Sequence, residues 1–159
     1  MTYMTKGLGP LLRLAGFGLA SLGWAAAAQA AEVNEAAMRA LESDGTEWLS
    51  YDRTWAQQRF SPLQQIDTES VDKLGLTWSI DLDNNRGLEA TPLYHEGVLY
   101  TSLSWSRVMA VDAGTGQILW SYDPQVDKAK GRDACCDAVN RGVALWQGKV
   151  YVGTLDGRL

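Results

Sequence analysis

Ala110-Val111-Asp112-Ala113-Gly114-Thr115-Gly116-Gln117-Ile118-Leu119-Trp120 is the stretch on which the fold turns. A β-rich run enters a tight, glycine-containing turn, and a second β-rich run leaves it and ends in a tryptophan able to dock between sheets. Working outward, short β-rich runs alternate with turns over the whole second half, at residues 76–80, 90–94, 98–102, 108–111, 118–122, 143–146 and 150–153. The turns fall at Asp83-Asn84-Asn85, Glu96-Gly97, Gly114-Thr115-Gly116 and Gln147-Gly148. No helical period appears there, so this half reads as all-β. Gly97-Val98-Leu99-Tyr100 returns as Gly148-Lys149-Val150-Tyr151, an offset of 51, and at the same offset Arg107-Val108 becomes Arg158-Leu159. A repeat of about 50 residues belongs to propeller blades or a related array, each period building one four-stranded blade. Trp78 closes Leu74-Gly75-Leu76-Thr77-Trp78 in the style of Trp120.

The first half is organised differently. Lys6 and Arg13 precede or open an apolar run, residues 14–24, that ends in the small-residue pattern Ala28-Gln29-Ala30. That order describes a secretory signal peptide over residues 1–30, cleaved near Ala30. A membrane span needs about 20 apolar residues, roughly twice this run, so no stable span is expected. Neither a twin-arginine pair nor a nearby cysteine is present. Residues 31–73 form a lead-in in which 33–41 predict a short helix, with Asn34 as its N-cap and Ala37, Met38 and Leu41 on one face. The chain from there to residue 65 reads as loop and turn, and residues 74–159 are the first, truncated blades. Without residues 1–30 the chain keeps 12 Lys+Arg against 19 Asp+Glu. So acidic a domain does not bind nucleic acid, which requires clustered basic residues. Six of the seven tryptophans are spread along the exported part, as a repeated packing role demands.

The chemistry concentrates in a few residues. Cys135 and Cys136 are adjacent, so their Cα atoms are about 3.8 Å apart and a bond between them must be strained. An oxidising compartment favours such a bond. Half of a metal site and two separate cysteines bonded elsewhere are the other readings; the first wants histidine nearby, and the sequence has only His95. Arg141 by itself is an ordinary surface arginine, and Glu89 a solvated acid ahead of a strand. The repeat says more: sliding by 51 places Glu89 on Asn140, beside Arg141, where the first strand of each blade lines the central channel. Thr154-Leu155-Asp156-Gly157 reads as blade structure equivalent to 102–106, His95 as exposed, and Asp112 and Asp156 as turn acids.

Residues 110–120 resemble the tryptophan-docking motif A-x-D-x-x-T-G-x-x-x-W of quinoprotein dehydrogenase propellers. Glu47-Trp48-Leu49-Ser50-Tyr51 and Gln58-Arg59-Phe60-Ser61-Pro62-Leu63 are similar to the lead-in of its methanol/ethanol branch, the pyrroloquinoline quinone (PQQ)-dependent alcohol dehydrogenases. Cys135-Cys136-Asp137-Ala138-Val139-Asn140-Arg141-Gly142 resembles the motif in which a vicinal disulfide lies flat against PQQ and the arginine contacts the quinone's oxygen substituents. Gly87-Leu88-Glu89-Ala90-Thr91-Pro92-Leu93 resembles the strand whose glutamate hydrogen-bonds the cofactor's periphery.

The resemblance, from about residue 34 to 159, implies an incomplete eight-bladed β-propeller, a Cys135–Cys136 disulfide, and PQQ contacts from Glu89, Cys135, Cys136 and Arg141. It implies oxidation of a small alcohol to an aldehyde, Ca²⁺ polarising the quinone, an aspartate base, and a periplasmic electron acceptor such as cytochrome c. Neither calcium ligands nor that base matches a position here, nor does Thr154 match the family's PQQ-binding threonine. The chain is therefore read as a piece of a longer periplasmic protein, of poor stability and inactive alone; a C-terminal domain carrying haem c is left open. A non-catalytic propeller scaffold binding partner proteins is the alternative, and it has no use for the cysteine pair. A membrane-bound sugar dehydrogenase would lack the pair and carry N-terminal spans.

Overall fold

A computed structural model describes residues 32–159; the expected signal peptide, residues 1–30, lies outside the described residues. Helix α1, Glu35–Ala40, begins where Asn34 Oδ1 accepts the Ala37 N–H at 3.0 Å, and Glu35 and Arg39 pair across one turn at 2.6 Å. The helix buries Met38, with Leu41 just beyond it. Both pack with Val33 and Leu49 against Leu93 of one sheet and Leu145 of the next. Each such side chain contributes about 1.5–3 kcal/mol when fully buried. The lead-in thus fills the seam between successive blades, and the Gln147 N–H donating to the Val33 carbonyl at 2.8 Å fastens it there.

The first blade is a four-stranded antiparallel sheet in sequential order: β1 Leu93–His95, β2 Val98–Ser102, β3 Val108–Asp112 and β4 Ile118–Tyr122. The second is represented by a two-stranded antiparallel hairpin, β5 Ala144–Trp146 and β6 Lys149–Tyr151. Glu96 (φ 45°) with Gly97 (φ 82°), and Gln147 (φ 46°) with Gly148 (φ 70°), make the two hairpin turns, each with consecutive left-handed residues. That twist matches the flanking strands, which is why an acid or amide followed by glycine recurs there. β3 is buried along most of its length, whereas every residue of β4 is exposed. Ala110 pairs with Trp120 but Val111 with Ile118, so Leu119 bulges out of register. At the β3–β4 turn Asp112 accepts from the Thr115 N–H and hydroxyl at 2.7 and 2.8 Å, bonds that hold its carboxyl below the usual range.

Several expectations need correction. Residues 76–80 pair with no strand among the described residues. Trp78, Ile80 and Leu82 instead pack on Leu103, Met109 and Val111. A strand needs a neighbour to complete its ladder, and a β-rich composition does not supply one. Trp78 is the tryptophan that docks among the described residues: its indole N–H donates to the Ala113 carbonyl at 2.9 Å and its ring covers Gly116, where a Cβ would come within 2.7 Å. Trp120 is 41% exposed and tilts toward Tyr100, ring centroids 6.2 Å apart. His95, expected at the surface, is buried; its Nδ1 lies 3.0 Å from Glu47 Oε2, and Glu47 also accepts the Glu96 N–H. Trp48, expected in loop, bridges Tyr94 through backbone bonds of 3.0 and 2.9 Å. These contacts come from the lead-in folding back over β1, an event no local pattern announces.

Candidate cofactor-binding site

Two segments lead into the blades, 87–92 ahead of β1 and 138–143 ahead of β5, and they run side by side. The Thr91 N–H donates to the Arg141 carbonyl at 3.3 Å, and Gly142 approaches the Thr91 carbonyl closely enough that a Cβ would stand 3.3 Å from it. Arg86 and Asp137 pair at 3.0 Å, and these partners are themselves separated by the repeat offset of 51. Equivalent positions of consecutive blades meet because the first strands of blades converge on a propeller's axis. The offset was a signal by which this pair could have been found.

On this face the Arg141 guanidinium lies 3.1 Å from Glu89 Oε2, both side chains substantially exposed. Cys135 and Cys136 form a vicinal disulfide, with Cα atoms 3.8 Å apart, and both residues are exposed. The structure therefore brings Glu89 and Arg141 together and carries the disulfide on the loop that ends in Arg141. Asp137, held by Arg86 and capping the Ala138 N–H at 2.8 Å, fixes that loop just after the cysteines.

Asn140 is not aimed at the axis as its place in the repeat suggests. Its amide nitrogen donates to Ser106 Oγ at 3.2 Å and to the Gly153 carbonyl at 2.9 Å, while its oxygen accepts the Gly142 N–H at 3.1 Å. Both polar atoms of its side chain are engaged by the blades, so it shapes the backbone beside Arg141. Thr154 is likewise structural: its hydroxyl engages Asp156 and the Arg158 carbonyl. Arg158 beside Asp156, with the Thr154 hydroxyl, pulls the Asp156 carboxyl down to about 2. Two open hollows, of about 520 and 500 Å³, surround Trp105 and Lys128 rather than Glu89 and Arg141. Among the described residues no cluster of His, Cys, Asp and Glu could hold a metal, and no helix is long and apolar enough to cross a membrane.

Fold and site together define a stretch of β-propeller whose blade-leading loops converge on a polar face bearing a vicinal disulfide. The chain belongs to the family described as "PQQ: Glucose/ethanol/alcohol dehydrogenase, beta-propeller domain", which matches residues 48–159. It is 70% identical over 133 residues to the quinohemoprotein alcohol dehydrogenase ADH IIB of Pseudomonas putida, covering 84% of this chain and 19% of that protein. It is 52% identical over 115 residues to the 1-butanol dehydrogenase (cytochrome c) of Thauera butanivorans, covering 72% of this chain and 17% of that one. The solved quinohemoprotein alcohol dehydrogenase ADHIIG of Pseudomonas putida HK5 superposes with a TM-score of 0.76 at 50% identity, over 79% of this chain and 18% of that structure. The chain thus spans about a fifth of the length of these relatives.

Proposed function

We propose that the complete gene product oxidises alcohols to aldehydes with PQQ as electron acceptor, and that this chain supplies one part of the PQQ pocket. The observation that carries the reading is the meeting of Glu89 and Arg141 at 3.1 Å on the loops of consecutive blades, one of which also bears the exposed Cys135–Cys136 disulfide. The donor set suits the cofactor. PQQ is a planar, polyanionic quinone, and a guanidinium offers five N–H donors in a rigid fork, of which Arg141 sets Nη2 against Glu89. The small disulfide ring forms a stiff wall, and Glu89 orients Arg141 while presenting an acceptor at the cofactor's rim. When bound, PQQ supplies the two-electron acceptor for the alcohol's hydrogen.

This chain's residues bind and orient; the aspartate base and the ligands of a Ca²⁺ ion are assigned to other parts of the gene product. The basic, apolar and small-residue order of residues 1–30 supports export to the periplasm, where cytochrome c is the electron acceptor we infer. The name of the Thauera relative supports that acceptor, and those of the Pseudomonas relatives support a haem-bearing portion. The test is to express the complete gene product in the periplasm, reconstitute it with PQQ and Ca²⁺, and follow ethanol-dependent dye reduction before and after mild thiol reduction. Activity that requires PQQ and falls on reduction is expected. A protein that binds no PQQ and oxidises no alcohol overturns the reading.

A further inference from the structure

Between β2 and β3 the chain passes through a tight turn at Ser104–Ser106. Trp105 (φ 63°) and Ser106 (φ 58°) are both left-handed, a conformation rare for non-glycine residues and kept only where the surroundings enforce it. The surroundings here are the two blade-leading segments themselves. Ser104 and Ser106 are each only 1% exposed. Ser104 Oγ donates to the carbonyl of Gly87, two residues ahead of Glu89, at 3.0 Å. The Trp105 N–H donates to the carbonyl of Ala138 at 2.8 Å. Ser106 Oγ accepts from Asn140 Nδ2, next to Arg141, at 3.2 Å and from the Leu155 N–H at 3.1 Å. Lys128 lies 4.0 Å above the Trp105 ring.

One buried turn therefore holds the backbone on the Glu89 side with one serine, and the side chain of Asn140, next to Arg141, with the other. We infer that Ser104 and Ser106 are positioning residues of the cofactor site, setting the mutual placement of Glu89 and Arg141 without touching the ligand. The inference rests on the assignment of Glu89 and Arg141 to PQQ. The left-handed backbone directs the two hydroxyls to opposite loops, so neither can be replaced by a bond from its neighbour. A serine that merely stabilised the blade would affect cofactor affinity, if at all, by the same factor whatever stood at 89 or 141.

The experiment is a pair of double-mutant cycles in the complete gene product, reading PQQ affinity by quenching of tryptophan fluorescence and folding by thermal midpoint. Ser104→Ala is combined with Glu89→Ala, and Ser106→Ala with Arg141→Ala. Each serine variant alone is expected to weaken PQQ binding about tenfold, the effect of one lost buried hydrogen bond. On the background lacking its partner, the same variant should change affinity less than about twofold, because coupled sites are not additive. If Ser106→Ala does not fold, Ser106→Gly, at ease at a φ of 58°, carries the same cycle, and Ser104→Cys replaces Ser104→Ala in the same event. Equal factors on both backgrounds, or unchanged affinity in the single variants, overturn the inference while leaving the PQQ assignment standing. Unaltered protein that binds no PQQ overturns the assignment and the inference together.

Discussion

The two blade-leading segments, 87–92 and 138–143, occupy equivalent places in the repeat and do different work. Glu89 lies on the open face against Arg141, while Asn140, its counterpart at an offset of 51, turns inward to Ser106, Gly153 and Gly142. The turns that follow β2 and β6 differ in the same way. Leu103 donates to the Arg107 carbonyl and Thr154 to the Arg158 carbonyl, both at 2.8 Å, so the backbone path is repeated. Its bracing is not: the first turn is held by buried serines, the second by an exposed Asp156–Arg158 pair at 2.7 Å. A repeat reproduces the course of the chain, and the neighbours of each copy decide what its side chains do.

The largest effect that would sharpen this contrast is on the ligand. Arg141→Ala should weaken PQQ binding by about a hundredfold, as two charge-assisted bonds of roughly 1.5 kcal/mol each imply. Because the Glu89 pair is exposed, stability should change by less than about 0.5 kcal/mol. Titration calorimetry with a parallel urea curve reads both, and a large loss of stability would make Arg141 a structural residue instead.

Asn140→Ala, at the position equivalent to Glu89, should lower unfolding stability by about 2 kcal/mol by stranding the groups its amide satisfies. Glu89→Ala should cost less than about 0.5 kcal/mol. Matching losses in the two urea curves would break the comparison. Trp78→Phe, which keeps the ring over Gly116 but deletes the bond to the Ala113 carbonyl, should cost about 1 kcal/mol by the same measurement.

The smallest effect concerns the exposed brace. Asp156 titrates near 2, below its unfolded value, so its contribution is complete above the ordinary carboxylate range and is lost as pH falls from there through about 2. A carboxyl ¹³C shift for Asp156 that titrates near 4 would show the second turn to be unbraced.

Much of this was legible because some structure is locally encoded. The N-cap of Asn34, the two hairpin turns, β2 and β4 were readable since each depends on residues a few positions apart. Cys135 and Cys136 could be singled out for the same reason, and the repeat placed Glu89 next to the neighbourhood of Arg141.

What escaped local reading was decided by contacts between distant stretches. Residues 76–80 have strand composition but no strand to pair with, and His95 sits by a turn yet is covered by the lead-in that brings Glu47 over it. Trp78 and Trp120 end similar runs, and only the first meets a turn to dock on among the described residues. The sequence by itself determined the short-range elements, the blade period and the chemical types brought to the axis, because those follow from backbone preference and spacing. Only the tertiary structure decided that Arg141 rather than Asn140 meets Glu89, and that Ser104 and Ser106 hold both loops, because side-chain direction and burial depend on which segments pack together.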